Sequence, residues 1–172
     1  MSCSLISAGI SRNCDNNVGG ITNIWITDFS NIVSVTESAG SISAITMASG
    51  TIFYEYEFIK HTSTFSEKQT ISIENGTAFA EQTVTLKLSK RQKSTRNNLL
   101  LLLHKELAIV VLDSNGLYWF IGETQGANVS DIPSESGTQA GDFNGYTITF
   151  MGQEPTPAPD RQIVRRRARV WW

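Results

Sequence analysis

Two side-chain faces alternate along residues 77–88 of this chain. One face carries Ala78, Ala80, Gln82, Val84, Leu86 and Leu88, and the other carries Thr77, Phe79, Glu81, Thr83, Thr85 and Lys87. A period of two is typical of a β-strand with one buried face. Residues 63–74 alternate similarly, and Asn75-Gly76 between the two segments is a strong hairpin signal, because a type I′ turn needs positive φ at both central residues. The pattern predicts one unusually long hairpin with arms at 63–74 and 77–88.

Other segments rich in β-branched and aromatic residues predict further strands. These are residues 21–28, 32–36, 42–47, 51–59 and 146–153, with a second hairpin formed by 108–113 and 117–122. Tight turns are predicted at Asn115-Gly116 and Asn144-Gly145. The strand at 51–59 is expected to place its apolar residues on one face, and the Ser/Gly/Thr-rich residues 126–141 are expected to form an exposed loop.

One helix is predicted, at residues 90–106, which contain neither Gly nor Pro. Ser89 or Ser94 is expected to cap it. Residues that recur every three or four positions form one predicted buried stripe along the helix. Two further leucines widen this stripe, so we expect the helix to be covered on more than one side. The stripe is Leu99, Leu102, Leu103 and Glu106, widened by Leu100 and Leu101. The sequence therefore predicts a mainly β fold with one helix.

The chain of 172 residues fits one domain. Residues 1–20 are small and polar and are expected to form an N-terminal arm, whereas residues 21–154 hold the strands and the helix. Pro155, Pro157 and Pro159 end regular structure, so residues 155–172 are expected to form an extended tail.

Charge and cysteine content narrow the classes of function. The net charge is −2 and the arginines of residues 161–169 are concentrated in the tail, so the body is acidic and is not expected to hold DNA. Cys3 and Cys14 are expected to be free thiols, since nothing else indicates an oxidising compartment. The apolar run Leu99–Leu103 is far shorter than the ~20 residues of a membrane span. No signal peptide is recognised, so we expect no membrane anchoring.

No residue pattern indicates catalysis, a cofactor or a metal ion. His104 lies among the leucines of the predicted helix, and His61 lies in a predicted turn. Glu55 and Glu57 point the same way on a predicted strand, as paired carboxylates do in glycosidases, but a solvated strand edge is the simpler interpretation. We therefore expect a non-enzymatic protein.

The C-terminal tail combines arginines with a Trp-Trp pair. Its candidate contact residues are Arg165, Arg166, Arg167, Arg169, Trp171 and Trp172. Such a segment can stay solvated, dock on an acidic neighbour or bind nucleic acid. Docking on a neighbouring subunit is the favoured prediction, because the body is acidic and the proline run keeps the tail extended.

Residues 14–158 resemble the tail tube proteins (major tail proteins) of tailed bacteriophages and prophages of Bacteroidota. The resemblance rests on layout and local sequence: Cys14-Asp15, Gly19-Gly20-Ile21 and Trp25-Ile26-Thr27-Asp28-Phe29, then the 51–60 segment before the long hairpin, and Gly145-Tyr146-Thr147-Ile148-Thr149-Phe150 before Glu154-Pro155. The Arg/Trp tail lies outside it.

The resemblance implies that residues 21–154 form a β-sandwich or barrel-like domain with the helix on its flank. Hexameric rings would stack into a tube, and inner strands of neighbouring subunits would close a barrel without free edges. The hairpin would supply lumen and intersubunit residues: Thr70, Ser72, Asn75, Gly76, Thr83 and Thr85. Phage DNA would pass through an acidic, hydroxyl-rich lumen without specific binding.

The implied partners are further copies of the chain and other phage tail proteins, in a virion assembled in the host bacterial cytoplasm. Two other classes stay open. One is a single-ring protein of the same particle, such as a head–tail connector, a tail terminator or a capsid-associated protein. The other is a carbohydrate-binding β-sandwich, which requires clustered exposed aromatic residues.

Overall fold

The computed structural model describes residues 9, 10, 12, 14–38 and 40–162, and most of them lie in strands. The strands are β1 Ile21–Asp28, β2 Ile32–Ser38, β3 Ser41–Met47, β4 Tyr54–Glu55, β5 Thr64–Ser72, β6 Thr77–Ser89, β7 Leu107–Asp113, β8 Leu117–Ile121, β9 Ala127–Asp131, β10 Ser134–Glu135, β11 Gly145–Glu154 and β12 Asp160–Gln162. A 3₁₀ turn spans Phe29–Asn31, and the helix α1 spans Lys93–Leu102. The predicted mainly β fold with one helix is confirmed.

The strands form one branched sheet that folds into two layers. Its main path is β2-β3-β12-β8-β7-β9-β11-β6-β5, with β1 attached to β7 and to β4, and β10 attached to β11. The layer around β7 and the layer of β5, β6 and β11 meet where Leu107 pairs with Ala127. The result is a sandwich-like arrangement.

The main core lies between these two layers. Its residues come from β1, β7 and β8 on one side and from β6 and β11 on the other, with Leu99 and Leu102 of α1 packed against the same cluster. The alternation along β6 is confirmed, because Ala80, Gln82, Val84, Leu86 and Leu88 are all buried.

The strand β7 is covered on both faces, which explains its continuous apolar run. Residues 107–111 are all buried. Ile109 and Val111 belong to the main core. Ala108 and Val110 belong to a second cluster with Phe53 and Phe120, against which the β2–β3 hairpin packs.

Two buried polar side chains hold the turn between β8 and β9 against the opposite layer. Gln82 of β6 is 1% exposed, and its Oε1 accepts a hydrogen bond from the Gly122 N–H at 3.2 Å. Glu154 of β11 is 2% exposed, and its Oε1 accepts hydrogen bonds from the Thr124 and Gln125 N–H groups, both at 3.0 Å. Burial, then the charges of Glu37 and Glu154, raise the pKa of the Glu123 carboxyl in the same turn. Together these contacts connect the two layers through hydrogen bonds.

The helix differs from the prediction in length and in its cap. It spans Lys93–Leu102 rather than 90–106. Lys90 cannot belong to it, because its φ of +66° lies outside the range of a right-handed helix. Its N-cap is Gln92 rather than Ser89 or Ser94. The expectation that the helix is covered on more than one side is wrong for this chain alone, as the exposed leucines described below show.

Three local predictions are wrong in detail. Only Tyr54–Glu55 of the predicted strand at 51–59 pairs in the sheet, and Ile52 and Tyr54 are exposed instead of sharing a buried face. The predicted loop at 126–141 begins with the strand β9, whose Ala127 is fully buried. Asn144-Gly145 is not a hairpin turn. Gly145 starts β11 so close to β6 that an added Cβ would lie 2.1 Å from the Leu88 carbonyl oxygen.

The predicted tail is partly built into the domain. Ala158 and Pro159 are buried, and residues 160–162 form β12 between β3 and β8. The free proline-rich extension predicted from residue 155 therefore does not exist at residues 158–162, because these residues complete the sheet.

Candidate functional site

The long hairpin of β5 and β6 is the most distinctive feature of the fold. Its strands pair continuously from Thr64↔Thr85 to Ser72↔Thr77. The connection at 73–76 is a four-residue loop, in which the Gly76 N–H donates to the Ile73 carbonyl at 3.3 Å and the Asn75 N–H to Ser72 Oγ at 3.4 Å. Gly76 has a φ of +61°, whereas that of Asn75 is not positive. The predicted hairpin is confirmed, but its type I′ turn is wrong.

One face of the hairpin is rich in hydroxyl groups, and this face continues onto β11. Cross-strand partners project to the same face of a sheet, and the observed registers bring the hydroxyl residues of three strands together. They are Thr64, Ser66, Thr70 and Ser72 of β5, Thr77, Thr83 and Thr85 of β6, and Thr147 and Thr149 of β11. The face lies opposite the core, and Thr70, Ser72, Thr83 and Thr85 are half-buried. Four predicted lumen residues are thus on one surface.

The charge on this face is close to balanced. Lys68 and Glu81 are cross-strand partners. Lys87 lies over the Phe143 ring, with its Nζ 5.3 Å from the ring centroid. This face is therefore not acidic, unlike the lumen that the resemblance implies. Hydroxyl-bearing residues outnumber the charged ones on it.

The outer edge of β5 ends the sheet. β5 pairs with β6 and with no other strand in the described part of the chain. β6, by contrast, is covered on its second side by β11, from Ala80↔Glu154 to Ser89↔Gly145. The hairpin therefore has one free edge, along β5. In addition, β11 does not pair with residues 77–79 of β6, nearest the turn.

The tip of the hairpin exposes apolar side chains. Ile71 is 69% exposed and Ile73 is 92% exposed. The partner strand β11 stops opposite Ala80, so the residues nearer the turn reach beyond the core. We call residues 71–76 the hairpin tip.

A second apolar surface lies on α1, at the other end of β6. Leu100, Leu101 and Leu103 are 54%, 69% and 41% exposed. A groove of about 830 Å³ lies on the Leu101 side of the helix, next to residues 54–59. A groove of about 450 Å³ lies on the Leu100 and Leu103 side, next to β9.

No family model matches the sequence, and neither a curated protein nor a solved structure is significantly similar to the chain. The site must therefore be interpreted from its own geometry.

The remaining candidate residues do not form a site with the hairpin. Glu55 accepts a hydrogen bond from Asn23 Nδ2 at 2.6 Å, and His61 and His104 are exposed in separate turns. In the described ranges, no group of three or more His, Cys, Asp and Glu side chains is placed to hold a metal ion. Cys14 is exposed. Across the same residues, no helix has the length and apolar character needed to cross a membrane.

The Arg/Trp tail and Cys3 lie outside the described residues. The predictions for Arg165, Arg166, Arg167, Arg169, Trp171 and Trp172 therefore stay predictions. Sequence reasoning missed the exposed leucines of α1, because a cluster of apolar residues in a helix is the usual signal for a buried one. It also missed the hydrogen bonds by which Gln82 and Glu154 hold the turn between β8 and β9, since a polar residue in a strand carries no signal of a distant backbone partner.

Proposed function

We propose that this chain is a structural virion protein, the tail tube subunit of a tailed bacteriophage or prophage of Bacteroidota. Its copies assemble into hexameric rings, and the rings stack into a tube that conducts phage DNA into the host. This proposal combines the resemblance of residues 14–158 with the surface properties of the hairpin.

The observation that carries the proposal is the hydroxyl-bearing sheet face beside the free edge of β5. A free edge leaves backbone N–H and C=O groups ready to pair with another strand. Pairing with a neighbouring subunit satisfies those groups and extends the same polar face from one subunit to the next. Repeated around a ring, this closes a barrel whose inner surface is rich in Thr and Ser side chains, with Phe79 and Met151 among them.

Such a surface suits the passage of DNA. Cationic surfaces bind phosphates strongly and release counterions, so they would hold the DNA in place. Hydroxyl groups interact with water and carry no charge, and the few charged residues of the face nearly cancel. The duplex then moves past the wall without specific contacts.

The proposed partners are further copies of this chain, other phage tail proteins and the genomic DNA in transit. The proposed location is the phage tail, after assembly in the host bacterial cytoplasm. A single-ring connector, terminator or capsid-associated protein would use the same edge without stacking, so it is the main alternative.

A carbohydrate-binding sandwich is less well supported by the aromatic residues. Trp25 stacks on Tyr118 with ring centroids 5.8 Å apart, and Trp119 packs beside Phe65 at 6.1 Å. Both indoles are half-buried and packed within the domain, so they do not present a flat exposed platform for a sugar.

Electron microscopy of the purified full-length chain tests the proposal. Stacked rings or tubes with sixfold symmetry are the expected result. Discrete single rings would support the connector or terminator alternative instead. A protein that stays monomeric at high concentration would contradict both, and glycan-array binding would then favour the carbohydrate-binding class.

A further inference from the structure

The smaller groove beside α1 is apolar inside and basic at its rim. Leu100 and Leu103 form one wall, and Val129 and Ile132 form the other. Arg91 and Arg96 also line it, and neither forms an ion pair with a described residue. With Asp131 on the far side, the charged groups lining the groove sum to +1. The first turn of α1 contains no acidic residue, so the positive end of the helix dipole adds to this charge.

The hairpin tip has the complementary properties. Its two isoleucines, Ile71 and Ile73, are the most exposed apolar side chains of the long hairpin. Glu74 is the one charged residue between residues 71 and 76, so the tip carries a charge of −1. A small apolar projection with an acidic residue at its end matches an apolar groove with arginines at its rim.

The tip cannot reach the groove of its own subunit. The two lie at opposite ends of β6, which runs from the tip at Thr77 to Ser89, just before α1. The groove extends along β6 from the level of Leu88, the partner of Tyr146, to that of Val84, the partner of Phe150, which also pairs with Val129. Strands rise about 3.3 Å per residue, so the groove lies about 23–36 Å from Thr77. Contact between tip and groove therefore requires a second copy of the chain.

We propose that the hairpin tip of one subunit docks in the Leu100/Leu103 groove of the next subunit. Ile71 and Ile73 fill the apolar part of the groove, and the Glu74 carboxylate pairs with Arg91 and Arg96. The contact is head-to-tail, so each subunit uses one tip and one groove, and repetition gives a closed ring or an open filament. This inference deepens the proposed function by naming a contact between subunits.

Two variants that each lose one side of the contact provide the test. The tip variant is Ile71→Ser with Ile73→Ser, and the groove variant is Leu100→Ser with Leu103→Ser. All four residues are exposed, so the substitutions should leave the core intact, which circular dichroism checks. The matched controls are Ile52→Ser for the tip and Leu101→Ser for the groove, since both are exposed and lie outside the proposed contact.

Assembly is measured by analytical ultracentrifugation across a concentration series. Each variant alone should associate at least about tenfold more weakly than the native chain, a loss typical of buried interface anchors. Mixed in equal amounts, the two variants should associate more strongly than either does alone, because the mixture holds one intact tip and one intact groove per pair. Variants that assemble like the native chain, or a mixture that associates no more strongly than the separate variants, would overturn the proposal.

Charge reversal tests the same contact without altering its apolar part. Glu74→Arg should weaken assembly, and so should Arg91→Glu with Arg96→Glu, whereas Lys93→Glu on the same helix should not. Combining the three reversals in one chain should restore assembly. A combined variant as weak as the separate ones would contradict the pairing of Glu74 with the arginines.

These measurements separate the inference from the proposed function. If the native chain forms rings and the tip variant forms them equally well, the tip contact is wrong and the ring proposal stands. If assembly depends on the tip but gives only open chains, the contact stands and the ring proposal fails. A native chain that stays monomeric contradicts both.

Discussion

Replacing Glu154 by alanine should loosen the connection between the two layers of the fold. The Glu154 side chain is 2% exposed, and its Oε1 accepts hydrogen bonds from the Thr124 and Gln125 N–H groups at 3.0 Å each. Its Oε2 has no hydrogen-bond partner among the described residues. Glu154 thus holds the turn between β8 and β9 through one oxygen atom.

The size of the effect follows from these contacts. A hydrogen bond to a charged group contributes about 1.5–3 kcal/mol, so two give about 3–6 kcal/mol. Thr124 and Gln125 are exposed, and water can replace part of the loss, so we expect Glu154→Ala to lower the free energy of unfolding by about 3 kcal/mol. Glu154→Gln keeps an acceptor at the same place and removes a buried charge. It should cost only about 1 kcal/mol.

Urea unfolding followed by tryptophan fluorescence measures these differences, at dilutions where the chain is monomeric. Gln153→Ala, at the exposed neighbouring position of β11, is the control and should change stability little. If the free energy of unfolding of Glu154→Ala lies within about 0.5 kcal/mol of the native value, the hydrogen bonds to Glu154 contribute nothing to stability. Equal losses for alanine and glutamine would show that the charge matters and the acceptor does not.

Three further predictions concern the edge, pH and the tail. Consecutive residues of β5 point their N–H groups to opposite sides of the strand, so one of Lys68 and Gln69 faces β6 and the other faces the free edge. Proline at the edge-facing position should abolish assembly, measured by light scattering, without changing the melting temperature, whereas proline at the other position should destabilise the fold. If both Lys68→Pro and Gln69→Pro lower the melting temperature, the prediction is refuted. A hydrogen bond from Lys105 lowers the pKa of Asp28, so the free energy of unfolding of the native chain should fall as the pH drops through that lowered pKa. Lys105→Met should make this loss smaller in thermal melts recorded across pH. An unchanged pH profile would contradict the prediction. A chain that ends at Gln162 keeps β12, and light scattering should show that it assembles less than the full-length chain, with a larger difference at low salt than at high salt. If the truncated and full-length chains assemble equally at both salt concentrations, the tail does not contribute to assembly.

The strands with a clear period were predictable from the sequence, because the buried face of a sheet imposes that period directly. β6 and β11 are examples, since each alternates buried and half-buried residues along nearly its whole length. β7 was also found, although a continuous apolar run does not reveal which layers cover it. That information comes from the distant β2–β3 hairpin, which packs against its second face.

The errors arose where tertiary contacts decide the backbone. Gly145 was assigned to a turn because Asn-Gly is a turn signal, but close approach to β6 explains the glycine equally well. Residues 51–59 have strand-like composition, yet they find a ladder partner at two positions only. Asp160–Gln162 follow a proline run, and their place between β3 and β8 is set by strands more than a hundred positions and about forty positions earlier in the chain.

The sequence predicted which hydroxyl residues of the hairpin share one face of the sheet, but not the charge of that face. The hydroxyl residues of β5 and β6 were identified by their spacing. The third strand of the face, β11, was predicted as a strand, but its position next to β6 was not. Its Thr147 and Thr149 extend the polar surface, on which Glu81 is balanced by its cross-strand partner Lys68. A net charge computed over the whole chain says little about one surface of it.

The two ends of the sheet differ in a way that favours assembly through β5. The ladder of β2 with β3 is interrupted by register shifts at two places, and such bulges twist an edge and hinder pairing with another strand. β5 pairs with β6 without interruption from Thr64 to Ser72 and contains no proline. Proteins that remain monomeric usually protect an edge of this kind. A regular edge, an exposed apolar tip and an uncovered helix face in one chain are therefore the features that support the proposed contacts with further copies.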